Sequence, residues 1–434
     1  MLYIIMITFE RQYKKTFLGR FSEPSERIIV VTGPRQCGKT TALLQALQGC
    51  NSPHLYVPVD QPDFYIEGIT SRNVLSDAND RSELPESSRI SRPDAEWLVR
   101  VWELARLEAR RSDSGYILGI DEIQKIPNWS EVVKGLWDAD RREGLQMHVV
   151  LLGSAPLVIQ KGVSDSLAGR FEVIQLNHWS FAEMAAAFDF NLDQYIYFGG
   201  YPGGASLIAD EERWRNYILN SLAKASIERD ILAIQKIEKP ILMKHLFELA
   251  SVFSGRELSY NKMLGPLQDA GNTTTLARYL DLLSEVKLVT GLQKFSVNKI
   301  LRSSSPKLNV NNTALMSSGS GYTFDEAVAD RTFWGRLVES AVGAHLLNTR
   351  SSYANLFYWR KNNYEVDFVL VRGKRISLIE VKSGSSPISS KGFSEFEKQF
   401  ATPDRSISRV SIGGSSTELA QFLATPVSES LEEQ

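Results

Sequence analysis

The first half of the chain alternates short apolar, β-branched runs with longer amphipathic stretches. Residues 27–31, 55–59, 116–120, 148–152 and 171–176 have strand length and composition. Residues 40–48 carry Leu43, Leu44 and Leu47 on one helical face, and residues 95–111 do the same with Trp97, Leu98, Val101, Leu104 and Ala105. A further helix is predicted over 132–139. Strands alternating with helices predict an α/β fold: a parallel sheet with helices on both faces. Residues 61–93 are polar and rich in Ser, Asp, Pro and Arg, and read as an insertion or surface loop. The opening MLYIIMITFE is too short to span a bilayer and lacks a signal-peptide cleavage site, so it reads as a strand or helix packed on this domain.

From about residue 180 the pattern turns helical, punctuated by GGYPGG at 199–204. Residues 242–293 read as helix, short helix, turn at Gly271, helix and strand, the outline of a winged helix. Its third helix buries Leu276, Leu280 and Leu283 and opens with Thr273, Thr274, Thr275 and Arg278, where contacts to nucleic acid would be made. After a Ser- and Asn-rich joint at 302–320, a helix over 333–348 and strands over 356–359, 365–371 and 376–381 give an α+β pattern. The acidic, Ser-rich tail beyond Thr425 is expected to fray. The pattern thus divides into three domains: 1–180, 181–300 and 301–425.

Composition narrows the classes. The 434 residues are 43% hydrophobic and 23% charged, with 49 Lys plus Arg against 51 Asp plus Glu, a net charge of −2. Nothing here advertises nucleic-acid binding by bulk charge. Two cysteines, Cys37 and Cys50, exclude a disulfide framework and point to a reducing, cytoplasmic setting. No membrane contact is expected.

GPRQCGKT at 33–40 follows a strand and opens a helix, matching G-x-x-x-x-G-K-[ST]. Gly33 and Gly38 let the backbone wrap phosphate oxygens, and the N–H groups of Pro34's successors Arg35, Gln36 and Cys37, with those of the helix start through Thr41, aim at the anion. Lys39 is expected on the β- and γ-phosphates of ATP and the Thr40 hydroxyl on Mg²⁺. Arg35 is a candidate for phosphate or for a neighbouring subunit. The apolar run 116–120 ends in Asp121 and Glu122: Asp121 is expected to hold Mg²⁺ through water, and Glu122 to polarise the attacking water. Ser154, at the end of another buried strand, is a γ-phosphate sensor or a plain turn serine. Arg170, in SLAGR, is an arginine finger or an ordinary ion-paired surface residue.

GPRQCGKTT, DEIQKIPNW, LLGSAPL with SLAGR, and GGYP, in this order, resemble the AAA-type ATPases of bacteria and archaea that carry a C-terminal domain of unknown function. The likeness runs from about residue 25 to 385. It implies an AAA-like core, a helical and winged-helix middle, and a C-terminal domain similar to PD-(D/E)XK nucleases. Two departures stand out. Asn309, Asn312 and Ala314 occupy places where relatives tend to hold an aromatic residue, an Asp and a Gly, and Cys37 replaces a β-branched residue.

In the C-terminal part Glu339 lies on a helix, Asp367 in EVDFVL, and Glu380 and Lys382 in IEVKSG. Side chains alternate along a strand, so Glu380 and Lys382 share a face, and a hairpin sets Asp367 beside them. Asp367 and Glu380 are candidate ligands for Mg²⁺, with Lys382 neutralising charge and Glu339 completing the set. Glu365, Arg360 and Lys361 are accessory candidates. Two readings stay open: an ATPase whose nucleotide state drives binding or cleavage of DNA or RNA, and a regulatory ATPase whose nuclease-like domain binds a protein partner without cutting. A homo-oligomer, with Arg170 acting in trans, is compatible with either.

Overall fold

The computed structural model describes residues 9–60, 93–153, 166–232, 237–267, 272–297, 304–382 and 390–432. The expectations placed on the N-terminal run, the polar insertion, Ser154 and the turn at Gly271 fall on residues outside these. The chain groups into two compact units: one holds nearly all residues up to Leu176, the other Asn177–Gln434 together with Arg35–Cys37. Residues 181–300 and 301–425, read as two domains from the pattern, lie together in the second unit.

In the first unit, helix α1 (Tyr13–Phe21) precedes β1 (Ile28–Thr32), α2 (Lys39–Gly49), β2 (His54–Pro58), α3 (Ala95–Arg111), β3 (Tyr116–Asp121), α4 (Trp129–Glu143), β4 (Met147–Leu152) and β5 (Phe171–Gln175). The strands form one parallel sheet in the order β2-β3-β4-β1-β5. β1 and β3 are buried along their whole length, which explains their unbroken apolar sequence. On one face, Trp97, Val101, Trp102 and Trp137 pack over β2, β3 and β4. A buried polar knot pins α3 to α4: Asp140 accepts from Trp102 Nε1 at 2.7 Å and from Arg106 Nε at 2.5 Å. Asp94 caps the start of α3 through the Trp97 N–H.

The second unit continues with α5 (Phe181–Phe188), α6 (Leu192–Phe198) and α7 (Glu211–Asn216), which runs on as π-helix over Tyr217–Lys224 and Ser226–Leu232. α8 (Pro240–Val252), α9 (Tyr260–Leu264) and α10 (Thr273–Glu285) lead to β6 (Val289–Leu292), paired antiparallel with β7 (Lys307–Val310). This pairing ties the helical segment to the C-terminal α+β segment. Short helices α11 (Ala314–Ser318) and α12 (Phe324–Ala329) precede the long α13 (Arg331–Thr349). β8 (Asn355–Lys361), β9 (Tyr364–Arg372) and β10 (Arg375–Val381) form the expected meander. After α14 (Ser390–Phe400), β11 (Ser406–Ile412) adds to the sheet parallel to β10, a strand the pattern did not announce. Its burial is interrupted and largely exposed, so no clean alternation marked it. Helices α15 (Ser416–Ala424) and α16 (Val427–Ser430) end the chain.

The tail does not fray. Glu432 is 2% exposed, and its carboxylate accepts from the Ser351 N–H and hydroxyl while its carbonyl accepts from Arg372 and Arg375. These specific partners outweigh the polar composition that suggested disorder. GGYP has a packing reason: a Cβ on Gly199 would stand 2.0 Å from Asn312 Oδ1, and that oxygen accepts the Gly200 N–H at 3.1 Å. Asn309 is fully buried and donates to the Val310 and Ser340 carbonyls. Among the described residues no helix is long and apolar enough to cross a membrane.

Candidate nucleotide site and a second carboxylate cleft

The loop from β1 into α2 turns at Gly38, whose φ of 89° suits a residue without a Cβ. Lys39 is buried, and its ammonium donates back to the Gly33 and Pro34 carbonyls at 3.0 and 2.9 Å, holding the loop closed on itself. Thr40 and Thr41 lie in the first turn of α2. The crest, Arg35–Cys37, groups with the second unit. There the Arg35 guanidinium forks onto the buried Asp230 at 2.8 and 2.5 Å, Gln36 accepts from the Tyr217 hydroxyl, and Cys37 is buried with its carbonyl bound to Trp179 Nε1.

β4 lies between β1 and β3, so the carboxyl ends of β1 and β3 stand about 10 Å apart. The first turn of α2 spans that gap: Thr40 Oγ1 donates to Asp121 Oδ2 at 2.5 Å. Tyr56, on the neighbouring β2, donates its hydroxyl to the same oxygen at 2.9 Å, and the Glu122 N–H takes the other at 2.8 Å. Burial and then Asp121 push the Tyr56 phenol far up, so it stays a donor. Glu122 sits in the left-handed region at φ 56°, and Gln124 Nε2 holds its carboxylate at 2.6 Å. A hydroxyl and a carboxylate side by side at the carboxyl edge of the sheet are hard oxygen donors suited to Mg²⁺, and Thr40 and Asp121 fit that ion. Tyr56 and Gln124 escaped sequence reasoning. The available signal was strand adjacency: β2 pairs with β3 so that Pro58 lies opposite Asp121.

Arg170 is not brought to this edge. Its carbonyl accepts the Ile28 N–H at 2.8 Å, at the amino end of β1, and five residues of strand put it roughly 15 Å from the phosphate loop. Its guanidinium forks onto Asp138 at 2.7 and 3.0 Å.

In the second unit Glu339, Asp367, Glu380 and Lys382 do come together, lining one cleft of about 850 Å³ with Glu365 and Lys391. Glu380 pairs with Lys382 at 2.8 Å, and Asp367 Oδ2 accepts the Val381 N–H at 2.8 Å. Lys307, from β7, reaches the cluster unannounced: its ammonium lies 2.5 Å from Glu339 Oε1, 3.1 Å from the Asp367 carbonyl and 3.7 Å from Asp367 Oδ1. Burial opposes its charge, but Glu339 and Asp367 outweigh burial and hold the Lys307 pKa up. Burial pushes Glu339 up to about 6, with Lys307 pulling the other way. Each carboxylate thus has a cation or N–H already engaged, and no group of three or more His, Cys, Asp or Glu among the described residues is disposed around a metal position. The Mg²⁺ expected at Asp367 and Glu380 would meet carboxylates already engaged by Lys307, the Val381 N–H and Lys382. Arg360 is paired with Glu257 and Glu365, and Lys361 with Glu395.

Comparison with known proteins finds three successive matches: an AAA domain over residues 25–185, a domain of unknown function (DUF8612) over 189–325, and another (DUF4143) over 334–428. An uncharacterized protein of Mycobacterium tuberculosis is 25% identical over 364 residues, 83% of this chain and 71% of its own length. One from Methanocaldococcus jannaschii is 27% identical over 293 residues, 61% of this chain and 60% of its own. Among solved structures, a Walker-type ATPase of Pyrococcus abyssi is 13% identical with a TM-score of 0.40, covering 72% of this chain and 96% of that one. The Aeropyrum pernix ORC2 protein in its ADP form is 12% identical with a TM-score of 0.34, over 64% and 85%. With the phosphate loop, the Thr40–Asp121 pair and a parallel sheet between helices, residues 25–185 are an AAA-type P-loop domain, the ATP-binding part of an AAA-like protein.

Proposed function

We propose that the protein hydrolyses ATP at residues 33–41, Asp121 and Glu122, and that the nucleotide state controls what its C-terminal domain binds. The observation that carries the first half is the 2.5 Å contact of Thr40 with Asp121, beside a Glu122 carboxylate held by Gln124. Backbone N–H groups and Lys39 bind the phosphates, and Thr40 and Asp121 hold the metal edge. Glu122 orients the attacking water and draws its proton. Mg²⁺, when bound with ATP, supplies neutralisation of phosphate charge. Lys39→Ala is expected to lose nucleotide binding, and Glu122→Gln to bind ATP while turnover falls by about 10²–10⁴-fold. Normal phosphate release by either variant would refute the assignment.

For the second half, the engaged carboxylates of the cleft favour the regulatory reading over cleavage of nucleic acid by Asp367, Glu380 and Lys382. The segment α8–α10 with β6 and β7, read as a winged helix, offers Thr273–Thr275 and Arg278 as a nucleic-acid face. A gel shift with DNA and RNA at several salt concentrations, with and without ATP, tests whether the partner is a nucleic acid. Plasmid cleavage in Mg²⁺ that Asp367→Ala abolishes would restore the nuclease reading.

A further inference from the structure

We propose that the Lys307 ammonium is the resident counter-ion of the C-terminal cleft, standing where a divalent cation shared by Glu339 and Asp367 would otherwise bind. The side chain is 2% exposed, and its nitrogen is enclosed by Glu339 Oε1 at 2.5 Å, the Asp367 carbonyl at 3.1 Å, Asp367 Oδ1 at 3.7 Å and the face of the Phe368 ring at 4.9 Å. An ammonium has three donors and no acceptor; the Asp367 carbonyl takes one hydrogen bond, and the Glu339 and Asp367 carboxylates and the ring face surround the charge with negative potential. Its backbone is fixed as well. Lys307 pairs with Leu292 across the β6–β7 ladder and bridges Glu257 on its other side, so its backbone is held while burial confines the stem. The remaining Asp367 oxygen is taken by the Val381 N–H, and Glu380 by Lys382. A divalent ion entering between Glu339 and Asp367 would meet the buried Lys307 ammonium at contact distance, and two positive charges that close repel. The cleft therefore presents a neutralised set of polar groups. It recognises a ligand by hydrogen bonds and ion pairs, and does not activate water on a metal.

This inference bears on the C-terminal half of the proposed function and is independent of the ATP site. The test is oxidative mapping with Fe²⁺ and ascorbate on the full, nucleotide-free chain, which cuts the backbone beside a bound metal and so separates this cleft from the P-loop by fragment size. In the wild type, no cutting near 339, 367 and 380 is expected. In Lys307→Met, whose side chain keeps the stem without the charge, cuts at these positions are expected to appear and to vanish again in Lys307→Met with Asp367→Asn. Cutting near 367 and 380 in the wild type, abolished by Asp367→Asn, would overturn the proposal. So would a folded Lys307→Met protein that gains no cut. Should Lys307→Met not fold, the wild-type map alone decides, checked by Mn²⁺ titration followed by electron paramagnetic resonance: a stoichiometric ion lost in both Glu339→Gln and Asp367→Asn would refute the resident-cation role.

Discussion

Tyr56→Phe isolates one hydroxyl at the nucleotide site. The ring, paired across the sheet with Gly119, stays in place. What goes is the 2.9 Å bond to Asp121 Oδ2, the oxygen that also accepts from Thr40. A hydrogen bond to a charged group contributes about 1.5–3 kcal/mol net. Thr40 and the Glu122 N–H still restrain the carboxylate, so the lower end applies, and ~1.5 kcal/mol is about tenfold in an equilibrium. The Mg²⁺ concentration for half-maximal ATP turnover is therefore expected to rise about tenfold in Tyr56→Phe, with a smaller change in turnover at saturating Mg²⁺. Burial and Asp121 keep the phenol protonated, so the difference should not vary across the neutral pH range. The assay is steady-state phosphate release against Mg²⁺ at fixed ATP, with a thermal melt to show that the variant is folded. A folded Tyr56→Phe enzyme with the wild-type Mg²⁺ dependence would refute the idea that this hydroxyl positions Asp121.

Placement and burial give two further expectations. Arg170→Ala should keep wild-type ATP turnover in dilute solution, since Arg170 sits at the far end of β1 from the phosphate loop; loss of turnover would mean that the guanidinium reaches the phosphates of a second copy. Burial lowers His345 from 6.5 to about 4, although its Nε2 donates to the Thr425 carbonyl at 2.9 Å. Between those values the unfolded chain takes up a proton that the folded one refuses, so stability falls as pH drops from 6.5 towards 4, by roughly 3 kcal/mol from this group. Urea unfolding at neutral and mildly acidic pH should show His345→Gln losing less than the wild type, and equal losses would refute the assignment.

The parallel sheet was legible because β1 to β4 are short apolar runs closed by a turn or a carboxylate. Lys39 could be placed because its partners Gly33 and Pro34 belong to the same loop motif, and Asp121 because it closes an unbroken apolar run downstream of that loop. Tyr56 and Lys307 could not. Tyr56 sits in HLYVP like any half-buried strand aromatic, and its role depends on β2 lying beside β3. Lys307 lies in KLNV, a strand buried at every position, where a lysine reads as a misfit until Glu339 and Asp367 arrive from elements 32 and 60 residues away. β11 was missed because it is mostly exposed, and the Glu432 tail because its partners, Ser351, Arg372 and Arg375, are 81, 60 and 57 residues away along the chain.

The two carboxylate sites are built on opposite electrostatic plans. Asp121 is surrounded by neutral donors, the Thr40 and Tyr56 hydroxyls and a backbone N–H, which fix its geometry without cancelling its charge. A carboxylate so held keeps its attraction for a cation and meets no competing charge. Glu339 and Asp367 are fixed by the Lys307 ammonium, and Glu380 by Lys382, so the same carboxylate chemistry is spent inside the protein. Breaking such a buried pair by removing one partner costs about 3–5 kcal/mol, and exchanging the ammonium for a hydrated ion carries that cost with it. On the proposed reading, carboxylates therefore serve a cation at the edge of the first unit's sheet and an internal ionic cluster in the second unit's cleft. The distinguishing feature is whether an ammonium stands among the carboxylates, as Lys307 and Lys382 do in the second unit.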